Sequence, residues 1–559
     1  MKKIAHYVDQ LTDRIIPIFA TPTCPPFPPK SDVVVRPPSF STHPASPIRI
    51  HSRSKGSLIN HACRWVSKKI TNRRRCTSFA QLLIATAGLT RYDAGLIDVL
   101  PDEVLLVILD FYANVDGYEM RNEAAEAWQT LTHVCRRWRI VVFASPRRLN
   151  LRLVCTPRTP ARDLLDIWPA LPLVVQWYGD CPIEGVDNIV AALERSSHVC
   201  QIVLYNVPTF LLEMASPAMQ EPFPELTYLR LMSDETVIPD SFLGGSAPLL
   251  RFLEFRGIPF PGLPKLLLSA TRLVSLTLSE IPDSGYISPQ AMVTALSTLT
   301  SLESFHLNFQ SPLSFPNGTT RRPAPPRRFA LPALAYFLFE GVTEYLEDLA
   351  ARVDAPQLSY LDITFFNQIV FDTPQLIQLI SRTPVLKALE KVRVIFDEGV
   401  ARVKLSSLTS HSQWLEVKVL CRELDWQVSS LEQVCTSCLP PLSTLEDIVI
   451  YGDPLWKLHR QNKIENTLWL ELFQPFIAVK NLYLSMDFVP LVVPALQELV
   501  GGRTTEVLPT LRNMFLGEIQ TSGPVHEAIQ QFVAMRQATG YPVAVSRWFP
   551  WKRPPRPDN

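Results

Sequence analysis

Long apolar runs are missing from this chain. No stretch of its 559 residues approaches the roughly 18 uninterrupted apolar residues of a bilayer-spanning helix, so no membrane span is expected. Lys2 and Lys3 open the sequence, but Asp9 and Asp13 interrupt before the short I-I-P-I-F-A run, which argues against a secretory signal. Also missing are a Gly-rich phosphate loop and a G-x-S-x-G nucleophile turn. The dipeptide His526-Glu527 lacks the second histidine of a zinc-protease helix. Cysteine is present but unorganised. Its 10 copies are scattered, and Cys155 and Cys200 sit in apolar runs, as reduced buried thiols of a cytoplasmic or nuclear protein do. Cys435-x-x-Cys438 is a lone pair, and Cys421, His411 and His459 do not complete a finger spacing, so those cysteines are read as buried and structural. No catalytic, cofactor-binding or metal-binding residue is assigned. Asn317-Gly318-Thr319 is read as a chance sequon in a loop.

An excess of one charge sign is absent overall but present locally. The net charge of +1 hides 14 Lys+Arg against 3 Asp+Glu in residues 1–90, leaving 40 against 50 in the rest. Ten prolines between Pro17 and Pro47 remove amide donors and fix φ. Residues 1–95 therefore read as a Pro-rich, basic, disordered arm. Its K-K-I-T-N-R-R-R cluster at 68–75 suits a solvated linker or a nuclear import signal. No aromatics alternate with these charges, so nucleic-acid binding is not expected.

The remainder is globular in composition, 47% hydrophobic and 19% charged, and too long for one ordinary core. One pattern recurs through it: an apolar residue, another three later, another two after that. It occurs at Val199/Ile202/Leu204, Leu226/Leu229/Leu231, Leu250/Leu253/Phe255, Leu273/Leu276/Leu278, Leu302/Phe305/Leu307 and Leu334/Phe337/Phe339. It continues at Leu358/Leu361/Ile363, Leu389/Val392/Val394, Trp414/Val417/Val419, Leu445/Ile448/Ile450, Val479/Leu482/Leu484 and Leu511/Met514/Leu516. Successive copies start 23 to 34 residues apart.

This is the period and core of a leucine-rich repeat. The last two residues of each triplet face one interior from a strand, and the first turns into the same core. Intervening residues such as Arg230 and Glu254 face outward on a parallel sheet. Residues 288–297 and 373–382 read as helices entered through Ser288-Pro289 and Thr373-Pro374. Residues 151–540 are thus expected to form an irregular solenoid, with a loop inserted at 311–329 that could split the array. Residues 541–559 are read as a basic tail that closes the last repeat, and Trp168, Trp177 and Tyr178 as packing the first repeat against the segment before it.

That preceding segment, 96–150, stands apart. L-P-D-E-V-L-L-V-I-L-D-F at 100–111 puts Asp102 and Glu103 in the first turn of a helix entered through Pro101. Val104, Ile108 and Tyr112 follow on one face, widened by Leu105 and Leu109. A second helix is expected from about Asn122 to Arg139, aligning Ala127, Leu131, Val134 and Trp138. So few short helices have too small a core to stand alone. Their apolar surface needs a partner.

Leu100-Pro101-Asp102-Glu103-Val104-Leu105 followed by Val134-Cys135-Arg136-Arg137-Trp138 resembles the F-box, in the fungal form followed by leucine-rich segments. The spacer is longer than in a minimal F-box, at N-V-D-G-Y-E-M-R-N-E-A over 114–124. The resemblance implies an α/β architecture: a short all-α F-box, then a leucine-rich-repeat solenoid with a parallel sheet. It also implies a role as the substrate-recognition subunit of a ubiquitin ligase, binding the Skp adaptor and through it cullin, with an unknown protein substrate on the repeats. Such a subunit performs no chemistry and acts by proximity. Leu100, Pro101, Val104, Ile108, Val134, Cys135 and Trp138 would be its docking residues, with Glu103 supporting the helix start. The alternative is a helical cap on the open end of the solenoid, with no ubiquitin role.

Overall fold

A computed structural model describes residues 101–548 apart from 104, 107–108, 110–131, 133, 146–148, 150, 168–170, 180–184, 234–235, 312–327, 367–370, 408–409, 411, 453–463, 500–505 and 518–521. The chain divides into units Met1–Val99 and Leu100–Asn559, and the first lies outside the described residues. So do Asn317, most of the 311–329 insertion, Trp168 and the tail beyond Trp548.

Alternation of apolar and polar residues generates one 16-stranded sheet. Its N-terminal half comprises β1 (Leu153–Cys155), β2 (Leu173–Tyr178), β3 (Val199–Tyr205), β4 (Tyr228–Met232), β5 (Phe252–Arg256), β6 (Ser275–Ile281) and β7 (Ser304–Phe309), paired in sequence order and parallel. A two-residue strand, β8 (Phe329–Ala330), leaves the main sheet and pairs with β10 (Val353–Asp354). Then β9 (Tyr336–Gly341) and β11 (Tyr360–Phe366) continue the ladder. Because β7 pairs directly with β9, the insertion at 311–329 does not split the array.

Next come β12 (Lys391–Asp397), β13 (Val400–Ser406) and β14 (Trp414–Leu420), followed by β15 (Asp447–Gly452), β16 (Asn481–Leu484), β17 (Asn513–Leu516) and β18 (Ala544–Arg547). The sheet here runs β11-β14-β13-β12-β15, with β13 antiparallel to both neighbours. The expected all-parallel solenoid is thus interrupted by a meander. Only Glu398 and Gly399 join β12 to β13, far too few residues for a parallel crossover. Gly399 takes the left-handed φ of +76° that this tight turn requires.

All twelve leucine-rich triplets fall on or just before a strand. A second local feature accompanies ten of them, beginning with Val199, whose amide donates to Ser196 O. The amides of Leu226, Leu250, Leu273, Leu302, Leu334, Leu358, Leu445, Val479 and Leu511 each donate to the carbonyl three residues earlier. Those residues are Phe223, Ala247, Ala270, Leu299, Leu331, Ala355, Leu442, Phe476 and Leu508, all buried. The turn swings the leading residue into the core before the strand begins, so it escapes the alternation that follows. At 414 the leading amide donates instead across the sheet to Ser359 O at 3.1 Å. β14 already starts at Trp414, paired with Tyr360, and strict alternation sends Trp414 outward. By register Leu415 and Val417, not Val417 and Val419, match Leu361 and Ile363. The triplet read at 414 was two residues out of phase.

Helices cover the inward face of the sheet. Pro289–Leu296 starts as the sequence predicts, with Ser288 Oγ accepting from the Ala291 amide at 3.3 Å. Pro374–Arg382 starts where predicted but is capped differently. Thr373 donates its hydroxyl to Ser437 O, and the free amides of Gln375 and Leu376 reach the buried carboxylate of Glu347, on the preceding helix Thr343–Ala350, at 3.0 and 2.9 Å. One continuous core runs from Leu153 to Val543 between sheet and helices. Trp177 belongs to it, rather than packing a repeat against the 96–150 segment, and Tyr178 lies outward beside Tyr205. The residues read as a tail from 541 contribute β18 and a buried Trp548, whose ring meets Tyr483 on the outward face.

Candidate interaction surfaces

The helical segment has two faces. Asp102 and Glu103 open a helix that includes Leu105, Leu106 and Leu109, with Leu105 N donating to Pro101 O at 3.0 Å. Arg137 ties this entry to the second half of the segment, its Nη2 lying 2.6 Å from Asp102 Oδ1. The helix expected from about Asn122 to Arg139 is not continuous through 134–135, while its part at 122–131, with Ala127 and Leu131, lies outside the described residues. Val134 lies in a turn, Cys135 is extended at φ −155° and ψ 171°, and the helix is Arg136–Ala144. Val134 and Trp138 therefore do not share one helical face. Cys135 is the N-cap instead, its Sγ accepting from the Trp138 amide at 3.4 Å. That contact gives the V-C-x-x-W spacing a structural reason, since a cap bonds the third helical residue.

Leu105, Leu106, Leu109, Val141 and Val142 are buried together with Leu149, Leu151 and Leu171, the residues leading into β1 and β2, and Trp138 packs half-buried against them. Pro101, Glu103 and Cys135 are exposed, as are two large apolar side chains, Val134 at 57% and Ile140 at 59%. Sequence reasoning missed Ile140. Its signal was an apolar residue following Arg139 and one turn after Arg136 and Arg137 on the helix. Of the sequence-derived docking residues, Leu100, Val104 and Ile108 lie outside those whose side chains are described.

The second surface is the outward face of the sheet. Arg230 and Glu254 project there as the alternation predicts and pair at 2.6 Å. Further ion pairs and hydrogen bonds follow along the same face: Arg256 with Glu280 at 2.5 Å, Asn308 with Glu340 at 2.7 Å, Lys418 with Asp362 at 2.7 Å, Lys404 with Glu416 at 3.3 Å and Arg402 with Asp397 at 2.7 Å. The hydrogen bond from Arg256 holds the Glu280 carboxyl below its ordinary range, whereas burial pushes Glu340 up and His306 down.

One row of this face is aromatic. Tyr228 meets Phe252 at 5.7 Å between ring centroids, and farther along Tyr336, Tyr360 and Trp414 follow at 5.6 and 4.3 Å. The ammonium of Lys404 sits 3.8 Å from the Trp414 ring centroid. Sequence reasoning missed this cluster because it depends on the phase of β14 and on which strands lie side by side.

Burial pushes the Cys438 thiol up to about 12 and Cys435 higher still. Among the described residues no group of three or more His, Cys, Asp and Glu side chains is gathered to hold a metal ion. Nor is any described helix long and apolar enough to cross a membrane.

No protein-family model matches the chain, and no curated protein matches it. Among solved structures, the leucine-rich repeat-containing protein LegL7 from Legionella pneumophila is similar over 68% of this chain and 97% of its own, at 11% identity and a TM-score of 0.21. The leucine-rich-repeat character of this chain rests on its own strands and turns, and a repeat sheet with a broad outward face is the architecture of a protein-interaction scaffold.

Proposed function

We propose that the chain is a substrate-recognition subunit of a ubiquitin ligase, with residues 96–150 docking on the Skp adaptor as an F-box and the repeat sheet holding a protein substrate. One observation carries this reading. Val134 and Ile140 project from a segment in which Leu105, Leu106, Leu109, Val141 and Val142 are buried, so among the described residues it presents an apolar surface outside its own small core. Leu105, Leu109, Val141 and Val142 then act as the internal support, and Pro101, Val134 and Ile140 as the contact. The reading carries a cytoplasmic or nuclear location with it. The end-cap alternative draws on the same contacts: the segment packs on Leu149, Leu151 and Leu171 beside the first strand.

The full chain, mixed with purified Skp adaptor, is expected to retain it. Val134→Asp/Ile140→Asp, at two largely exposed positions and with folding checked by its melting curve, is expected to weaken retention at least tenfold, about 1.4 kcal/mol. No retention by folded wild-type protein would leave the segment as an end cap on a scaffold without a ubiquitin role.

A further inference from the structure

The β12–β14 meander concentrates cations. On the outward positions of these three strands stand Lys391, Arg393, Arg402, Lys404 and Lys418 against the carboxylates of Asp397 and Glu416. Arg402 pairs with Asp397, Lys404 with Glu416, and Lys418 with Asp362 of the neighbouring β11. Two cations remain. Among the described residues neither Lys391 nor Arg393 has a carboxylate within ion-pair distance. Asp447, beside Lys391 in the register, accepts instead from Asn481 at 2.7 Å. Burial and the like charge of Arg393 push the Lys391 ammonium below its ordinary value, and Asp447 offsets this only in part.

In the same face, beginning on the strand next to Lys404, lies the aromatic run Trp414–Tyr360–Tyr336, and Tyr336 is 44% exposed. From β9 to β12 there are four strand spacings of about 4.8 Å, so roughly 19 Å, the span of about six extended residues. Stacking aromatics beside cations that no described carboxylate pairs with are the features that concentrate binding energy at protein interfaces.

We infer that the outward face from Tyr336 to Lys391 and Arg393 is the docking site for an extended acidic segment of a protein partner. An apolar or aromatic residue of that segment packs on Tyr336 and Tyr360, and its carboxylates face Lys391 and Arg393. This rests on the reading of the repeat sheet as the substrate-holding part, but not on the adaptor contact, which lies in residues 96–150 and is assayed separately. Failure of adaptor capture and failure of peptide binding are therefore distinguishable.

The test pans a random dodecapeptide display library against the full chain, then measures a selected peptide, fluorescein-labelled, by anisotropy. Selected peptides are expected to be rich in Asp and Glu beside an apolar or aromatic residue. Their affinity should fall at least about tenfold in Lys391→Glu/Arg393→Glu and in about 1 M salt, where the screening length is about 3 Å. Tyr336→Ala should weaken it as well. Lys391→Gln/Arg393→Gln, checked by its melting curve, covers the case in which the reversal does not fold. No enrichment, selection of neutral or basic peptides, or binding indifferent to both double variants would overturn the proposal. So would displacement of the peptide by oligothymidylate at equal or lower concentration, which would reassign the patch to nucleic acid.

Discussion

Single side chains in this protein do work that their sequence neighbours cannot. The helix at 374 has Thr373 ready at its start, yet its amides are taken by Glu347 from the previous repeat. A carboxylate at that place satisfies two orphan donors and complements the helix dipole. Glu347→Ala leaves the buried Leu376 amide and the half-buried Gln375 amide without an acceptor and is expected to cost about 3 kcal/mol, and Glu347→Gln less, as read from denaturant midpoints. The thiols give a second expectation. Burial raises Cys155 and Cys438 from 9.0 to about 12, and Tyr483 from 10.0 to about 12. A raised folded-state value means the folded protein holds the proton more tightly. Its contribution to stability is full below pH 9 and is lost as the pH climbs through about 12. The melting temperature should decline across that window, and less steeply in Cys155→Ala/Cys438→Ala. In native protein at neutral pH, iodoacetamide should reach the exposed Cys135 while Cys155, Cys435 and Cys438 stay unmodified until unfolding.

At the scale of elements, the meander is the departure that matters. Its turn depends on Gly399, where an added Cβ would meet nothing within 4 Å, so only the positive φ penalises a side chain. Gly399→Val is therefore expected to destabilise by about 1 to 2 kcal/mol, and Gly399→Asn by much less, because asparagine tolerates the left-handed region. Equal melting curves for the two variants would show that the turn is not held as described. Because β13 lies between β12 and β14 in the sheet, loosening this hairpin should also weaken the acidic-peptide binding argued above. The helical segment obeys the same logic of short-range devices: the Cys135 cap and the Arg137–Asp102 pair align two helices whose shared core is small.

Across the whole molecule, each repeat touches chiefly its neighbours, so disturbance should stay local. Trp548 closes the far end by covering Val449 and Tyr483 on the outward face, next to Tyr451 and Phe515. Trp548→Ala is expected to cost about 3 kcal/mol. Hydrogen exchange should then rise in residues 511–547 before it rises in 200–310, as expected of a quasi-linear array. Uniform loss of protection along the chain would mean that the array unfolds as one cooperative block.

The sequence by itself determined the twelve strand positions, the inward set on all of them except at 414, and the helix start at Ser288. These are short-range matters, decided by alternation, by a tight turn three residues long and by a local cap. Only the tertiary structure decided that β14 lies inside β12, that Glu347 rather than Thr373 caps its helix, that Cys135 ends one helical phase and begins another, and that Val134 and Ile140 stay outside. Alternation tells a strand which side chains share a face, but not which strand will lie beside it. A partner's identity is set by loop length, register and packing across dozens of residues. The row of Tyr336, Tyr360, Trp414 and Lys404 therefore exists only once the chain has closed.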